Sequence, residues 1–302
     1  MENPTNINAP IFRSSVKKGI LKAGNYRLTW GEKVLVMGIL NITPDSFFDG
    51  GIYYEKERAI DRVYELAAQG ADIIDIGGES TRPGAEEVSE AEELRRVIPV
   101  IETVAGKIGK PISIDTMKPA VAKAALEAGA VIVNDVAANR DDPLMWEIAA
   151  AKNAAYVIMH MKGTPKTMQI NPVYDNVVAE VGKFFEERIQ KVKKSGLDEN
   201  SIILDPGIGF GKTVEHNLSL LRNLFIYTKF GFPVLIGVSR KSFIGKILNL
   251  DVKDRLIGSV ACELLAWLNG ASIVRTHNVT ETLQAIKMVD AIIRSAEYNQ
   301  VR

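Results

Sequence analysis

The chain has 302 residues, 46% hydrophobic and 25% charged, which is enough apolar sequence for one large core or two ordinary ones. Lysine plus arginine and aspartate plus glutamate both number 37, and this balance does not indicate a nucleic-acid-binding protein. The N-terminal stretch lacks the regions of a signal peptide, and every apolar run is too short to span a membrane. We therefore expect a cytoplasmic protein with neither a membrane nor a nucleic-acid partner.

The first part of the chain is predicted to lie outside the main fold. Residues 1–24 are expected to form a loosely held extension, and NYRLTWGEKV (25–34) is expected to form a small hairpin. Residues 25–302 are then predicted to form one domain.

Eight short runs with continuous apolar character follow. Such strands are buried on both faces, and their alternation with helices favours parallel pairing. Eight such units in about 250 residues predict a (β/α)8 TIM barrel. An open doubly wound sheet is the alternative, but the Gly-rich nucleotide turn usual after its first strand is missing. The predicted strands are VLVMGIL (34–40), ADIIDI (71–76), PISI (111–114), VIVN (131–134), AAYVIM (154–159), SIILD (201–205), PVLIGV (233–238) and SIVRT (272–276).

A repeated sequence pattern supports this division into units. A helix tail, then Gly-Ala, then a β-branched run occurs around Gly70, Gly129 and Gly270, and Asn153 takes the glycine position in another unit. Glycine and asparagine are the residues that a helix C-terminus in the left-handed conformation prefers.

Polar residues stand at the ends of all the predicted strands, where a TIM barrel gathers its functional side chains on one rim. Any one of them is explained as well by helix capping, but the complete set favours a ligand site. Asp115, Asn134 and Asp205 offer acceptors and an amide suited to a flat heterocycle. Basic residues follow the seventh and eighth strands, where barrels often bind phosphate. The strand-end residues are Asn41, Asp75, Asp115, Asn134, Asp135, His160, Asp205, Ser239, Arg240, Lys241, Arg275, Thr276 and His277.

Two polar, Gly- and Pro-containing segments complete the predicted rim: NITPDSFFDGGIYYE (41–55) and GGESTRPGAEEVSE (77–90). Loops of this composition often close over a substrate. Solvated connections are the alternative, but they do not explain Phe47, Phe48 and Arg82 well.

Other site classes are disfavoured. GFGKT (209–213) resembles the end of a P-loop, but Pro206 stands where that motif requires glycine. Phe210 is expected to stack on a planar ligand, and Lys212 is expected to be a rim or surface charge. The three histidines are dispersed, which makes a multi-histidine metal site improbable.

The motifs NITPDSFFDGG, DIGGESTRPG, SIDT, VNDV, DPGIGFGK, GVSRKS and VRTHNV occur in this order, and over about residues 25–300 the sequence resembles the bacterial dihydropteroate synthases, a family of pterin-binding enzymes. The resemblance implies a transferase that condenses 6-hydroxymethyl-7,8-dihydropterin pyrophosphate with para-aminobenzoate. The products are 7,8-dihydropteroate, used in folate synthesis, and pyrophosphate. It also implies Mg2+ dependence, a homodimer and sulfonamide binding.

The resemblance further assigns roles to individual residues. Catalysis falls to Asp115, Asp205, Lys241 and Arg82. Pterin binding falls to Asp115, Asn134, Asp205, Lys241 and Phe210, and pyrophosphate binding to Asn41, Arg275 and His277, with Mg2+ at Asn41. The para-aminobenzoate site is assigned to Thr81, Arg82, Pro83, Phe47, Phe210 and Ser242. The alternatives are a methyltetrahydrofolate-dependent methyltransferase and a non-catalytic pterin-binding protein.

Overall fold

The structure, a computed structural model, describes residues 17–43, 51–80, 87–138 and 143–298. Its strands are β1 (Gly19–Ala23), β2 (Tyr26–Trp30), β3 (Leu35–Asn41), β4 (Ile73–Gly77), β5 (Ile112–Asp115), β6 (Ile132–Asp135), β7 (Ala155–Met159), β8 (Ile202–Asp205), β9 (Leu235–Gly237) and β10 (Ile273–Thr276). Its α-helices are α1 (Gly51–Ala68), α2 (Glu90–Val104), α3 (Pro119–Glu127), α4 (Leu144–Ala151), α5 (Val177–Lys194), α6 (Val214–Arg222), α7 (Ser242–Leu248), α8 (Leu256–Leu268) and α9 (Val279–Tyr298).

Strands β3 to β10 form one parallel sheet in the order β8-β7-β6-β5-β4-β3-β10-β9. The edge strands β8 and β9 meet through a parallel bridge between Leu204 and Val234, which brings the sheet close to full closure. The predicted (β/α)8 TIM barrel is therefore confirmed, and each predicted strand overlaps an observed one.

The strands are buried on both sides, as their continuous apolar sequences predict. One core cluster lies between the sheet and the helices, and it includes Ile74, Ile158 and Phe185. A second cluster lies inside the barrel, where Met37 and Ile73 pack with the hairpin residues. Stacked side chains fill the interior of a TIM barrel in this way.

The hairpin β1–β2 covers the end of the barrel where the strands begin. Leu21 and Trp30 join the same cluster as Leu35 and Ile273, which are the first residues of β3 and β10. The hairpin occupies residues 19–30, earlier than the predicted 25–34, so its first strand lies in the stretch expected to be an extension. A boundary at residue 24 remains a prediction.

The helix ends follow the repeated pattern. Gly129 and Gly270 have φ values of +114° and +105°, and Asn153 has a φ value of +51°. Within the ranges that the structure describes, no helix is long and apolar enough to cross a bilayer.

Candidate active site

The ends of the barrel strands bring polar side chains from across the chain to one rim. Strands β3, β5 and β8 end at Asn41, Asp115 and Asp205, and Asn134 and Arg275 stand one residue before the ends of β6 and β10. Strand pairing sets Asp115 directly beside Asn134. The barrel thus brings residues as far apart in sequence as Asn41 and Arg275 to the same rim.

Arg275 connects two buried carboxylates on this rim. Its Nε donates to Oδ2 of Asp75 at 2.6 Å, and its Nη2 donates to Oδ2 of Asp115 at 2.5 Å. Nδ2 of Asn134 donates to the same Asp75 oxygen at 3.2 Å. The remaining Oδ1 atoms of Asp75, Asp115 and Asn134 have no hydrogen-bond partner among the described residues. Buried acceptors of this kind normally have a partner, so a ligand with N–H donors would satisfy them.

A cavity of about 410 Å3 opens beside this cluster. It is large enough for a small organic ligand, and both acidic and basic side chains line it. The predicted site residues that line it are Asn41, Asp115, Phe210, Lys241, Ser242, Arg275 and His277.

Lys241 lies at the N-terminus of α7 and reaches across the cavity to the turn after β8. Its ammonium donates to the carbonyl of Ile208 and lies 4.5 Å from the centre of the Phe210 ring, a cation–π contact. Asp205, at the end of β8, accepts a hydrogen bond from the backbone N–H of Gly207 at 2.7 Å. One turn therefore connects an acid, an aromatic ring and a lysine.

Burial opposes charge on most of these groups. It raises the pKa of Asp115 to about 7 although Arg275 attracts the carboxylate, and it raises the pKa of Asp205 against the attraction of Lys241. It lowers the pKa of Lys241 to about 8, while Asp205 favours the ammonium. Burial also acts against the charge of Arg275, but attraction by Asp75 and Asp115 outweighs it and raises the guanidinium pKa. A ligand with complementary charges or hydrogen-bonding groups would stabilise the ionised forms of these side chains.

The basic side of the cavity continues along the ends of β9 and β10. His277 contacts the hydroxyl of Ser239 through its Nδ1 at 3.0 Å, and its backbone N–H donates to the same hydroxyl at 3.3 Å. Arg240 and Arg255 also line the cavity. This concentration of cations suits a strongly anionic group.

A larger cavity of about 550 Å3 lies at the opposite end of the barrel, beside the hairpin. Its cations have partners already: Lys22 pairs with Asp198 at 2.7 Å, and Arg27 donates to the carbonyls of Gly24 and Tyr26. The chemistry points to the smaller cavity, because it adjoins the buried acids that lack partners.

Comparison of the chain with known protein families gives a match. The family profile described as "Pterin binding enzyme" matches residues 37–277, which is most of the chain. The chain belongs to the pterin binding enzyme family.

Pterin binding enzymes with known names resemble it closely. Dihydropteroate synthase from Escherichia coli (strain K12) is 47% identical over 262 residues, covering 87% of this chain and 93% of the relative. The structure of Xanthomonas albilineans dihydropteroate synthase with 4-aminobenzoic acid has a TM-score of 0.85 and 43% identity, covering 91% of this chain and 98% of that chain. The same enzyme in complex with 7,8-dihydropteroate has a TM-score of 0.82 and 41% identity, with 91% and 98% coverage.

The structure of this pterin binding enzyme brings together nine of the residues predicted for the site. Asn134 and Asp205 are buried and do not line the cavity. Asn134 donates a hydrogen bond to Asp75, and Asp205 accepts one from Gly207 in the turn after β8. The predicted residues Phe47, Thr81, Arg82 and Pro83 lie outside the described residues.

Three residues of this pterin binding enzyme have positions that sequence reasoning did not anticipate. Asp75 was assigned no role beyond its strand-end position, and it is the shared acceptor of Arg275 and Asn134. Arg255 was not selected at all. Lys212, expected to be a rim or surface charge, is only 2% exposed, so that expectation is wrong. A strand-end position was a signal for Asp75, whereas the other two have no clear signal in the sequence.

Proposed function

We propose that the chain condenses 6-hydroxymethyl-7,8-dihydropterin pyrophosphate with para-aminobenzoate to give 7,8-dihydropteroate and pyrophosphate. It would then be a transferase of folate synthesis, and its relatives are named dihydropteroate synthase. The observation that carries this proposal is one cavity whose lining includes both a buried acid, Asp115, and the basic side chains of Lys241 and His277. Such a division suits a substrate with a flat heterocycle at one end and a diphosphate at the other.

The acid cluster would bind the pterin. Oδ1 of Asp115 and Oδ1 of Asn134 would accept N–H groups from the edge of the ring, since both lack partners among the residues described. Asp205 attracts the Lys241 ammonium and would accept a further N–H. The ring would pack near Phe210 and Met168, which line the same cavity.

The basic side would bind the diphosphate and receive its growing negative charge. Arg275 and His277 line this side, and Asn41 lies with them on the cavity wall. Cations placed where charge develops lower the barrier to departure of an anionic leaving group.

Mg2+ is part of the proposal, and the donor set is compatible with it. The described ranges hold no cluster of three or more His, Cys, Asp or Glu side chains arranged for a metal. The carboxamide oxygen of Asn41 would be the ligand from the protein, with phosphate oxygens and water completing the shell, an arrangement that Mg2+ commonly uses. The ion would supply further neutralisation of the diphosphate.

We expect a dissociative substitution. The C–O bond to the diphosphate breaks first, and its electron pair leaves with the diphosphate. The methylene carbon then carries positive charge that the dihydropterin ring delocalises and that the carboxylates of Asp115 and Asp205 favour. The neutral aromatic amine attacks this carbon, a C–N bond forms, and the amine releases one proton.

The para-aminobenzoate site would lie at the mouth of the cavity. Phe210 and Ser242 line the cavity and would form its described part. Phe47, Thr81, Arg82 and Pro83 are proposed to complete it. Sulfonamides would compete there, as the structure of a Yersinia pestis dihydropteroate synthase in complex with a sulfonamide drug suggests.

A homodimer and a cytoplasmic location belong to the same proposal. A groove lined by Ile257, Val260 and Leu264 runs between α8 and α9, and Ile257 is 83% exposed. Pairing of this face with a second copy would bury it. Light scattering of the purified chain would give twice the chain mass if the pairing occurs, and Ile257→Glu would reduce it to a monomer.

The direct test mixes purified protein with the pterin pyrophosphate, para-aminobenzoate and Mg2+. Pteroate is followed by chromatography and pyrophosphate by a coupled assay. We expect equal amounts of both products. Folded protein that binds the pterin but forms neither product would contradict the proposed reaction and leave a binding protein.

A further inference from the structure

Lys212 is a buried lysine that the proposed reaction does not use. It is 2% exposed, and burial lowers the pKa of its amine well below its usual value, while Asp205 favours the charged form. No ion pair to a described carboxylate accompanies this burial. An ammonium is expensive to bury without such a partner, so its contacts need an explanation.

Three polar atoms surround the Lys212 amine. Nζ donates to the carbonyl of Phe210 at 2.9 Å and to the carbonyl of His160 at 3.3 Å. It also lies within hydrogen-bonding distance of Nδ1 of His160, at 2.9 Å. His160 is held in turn by the rings of Phe184 and Tyr174, at centroid distances of 5.0 and 6.1 Å.

These contacts join two segments of the rim. His160 directly follows β7, and Phe210 belongs to the turn 206–212 that follows β8. The turn lies hard against the segment after β7: a Cβ atom at Gly207 would clash with the His160 carbonyl, and one at Gly211 would clash with the Lys162 carbonyl. Lys212 therefore fixes the turn at the point where it touches its neighbour.

The turn held in this way carries contacts of the cavity. Its Ile208 carbonyl accepts from Lys241, and its Phe210 ring lies under the same ammonium. The carbon Cδ of Lys241 also lies 3.0 Å from the position of a Cβ on Gly209. A shift of the turn would therefore move Lys241 directly.

We propose that Lys212, anchored on His160, is a positioning residue that holds the turn 206–212 so that Ile208 and Phe210 set the place of Lys241. The effect on pterin binding rests on the proposed function, whereas the anchoring of the turn by Lys212 does not. Tyr174 and Asn217 also hold the turn, through the Gly211 carbonyl at 2.8 Å and the Gly209 N–H at 2.7 Å. The turn should consequently stay folded, but less exactly placed, when Lys212 is replaced.

Lys212→Met removes the ammonium and keeps an unbranched apolar chain. Lys152→Met is the control, because Lys152 forms an exposed ion pair with Glu127 and lines the cavity at the opposite end of the barrel. The first measurement is amide hydrogen exchange of residues 207–211 without ligand. We expect exchange to be at least about tenfold faster in Lys212→Met and unchanged in the control.

The second measurement is the calorimetric Kd for 6-hydroxymethyl-7,8-dihydropterin. We expect about a tenfold weaker Kd for Lys212→Met, with a pH dependence shifted because Lys241 is less buried. His160→Gln leaves the lysine in place and should weaken binding in the same direction. The double variant should show less than the sum of the two effects, since both act on one contact.

Unchanged exchange at 207–211 in Lys212→Met would overturn the proposal whatever the ligand. If Lys212→Met does not fold, His160→Gln decides by the same exchange and Kd measurements, and unchanged values there also overturn it. Wild-type protein that does not bind the pterin would refute the proposed function instead, and the exchange result would still decide the role of Lys212.

Discussion

Replacing Asp115 by asparagine should stabilise the protein while weakening pterin binding. Asp115 is 6% exposed, and burial raises its pKa from 3.8 to about 7, with Asp75 adding to the rise and Arg275 opposing it. A difference of three pKa units corresponds to about 4 kcal/mol of unfavourable free energy for the ionised form. Because this shift already includes the attraction of Arg275, an uncharged amide that still offers an oxygen avoids the whole penalty.

The pH dependence has a definite sign. Between about pH 4 and 7 the folded protein keeps the Asp115 proton that the unfolded chain has released, so wild-type stability falls as pH rises through this window. Above pH 7 the penalty is complete. Asp115→Asn lacks this dependence, and its advantage over wild type should therefore grow from about pH 4 to about pH 7 and then level off. We take about 4 kcal/mol as the upper limit.

The assay is urea unfolding of both proteins at several pH values from 5 to 8. Asp198→Asn is a control with the opposite sign, since the hydrogen bond from Lys22 lowers the pKa of this exposed acid. Ionised Asp198 therefore contributes stability that is fully present above the pKa of the unfolded chain and is lost as pH falls through the lower pKa of the folded protein. Asp198→Asn should thus destabilise slightly at pH 8. An Asp115→Asn variant less stable than wild type at pH 8 would refute the electrostatic reasoning.

Three further predictions concern the cavity. Pterin affinity measured by calorimetry should fall as pH rises through about 8, where Lys241 loses its proton. The fall should be absent in Lys241→Arg, and this variant also controls for titration of the ligand. Arg275→Lys cannot bridge two carboxylates, so steady-state kinetics should give at least a roughly 100-fold lower kcat/KM, whereas Arg294→Lys in an exposed ion pair should behave as wild type. Gly209→Ala should cost about 1–2 kcal/mol in thermal unfolding, because its φ of +86° disfavours a side chain, and it should weaken pterin binding. A Gly209→Ala variant with wild-type stability would contradict the strained geometry.

The barrel was predictable because its signal is local and repeated. Each strand is a short apolar run between helices, and this pattern alone predicts burial on both faces and parallel pairing. The hairpin was placed too late because β1, GILKA, alternates in burial and contains only two residues that are fully buried. The buried side chains of β1 pack against the barrel interior, and no sequence pattern near β1 indicates this contact.

The site was predictable in part for a different reason. Strand ends of a barrel converge, so Asp115 and Arg275 could be expected on one rim. Their direct bond across 160 positions could not, since it depends on which side chains lean toward each other. Lys212 was misjudged because its partners are two carbonyls and a ring nitrogen. Because every residue has a backbone carbonyl, the sequence does not indicate which carbonyls accept a hydrogen bond from a buried lysine.

Arg275 and the two acids that it contacts would act together in the proposed reaction. Arg275 is shared by Asp75 and Asp115, while Asp115 Oδ1 still lacks a partner among the parts of the chain described. Above about pH 7 Asp115 is ionised, and two carboxylates around one guanidinium then leave an excess of negative charge beside the proposed methylene cation. Attraction of Arg275 toward a departing diphosphate would increase that excess during bond breaking. The same groups would thus stabilise both products of C–O cleavage. The carboxylates would stabilise the methylene cation, and the guanidinium of Arg275 would stabilise the diphosphate.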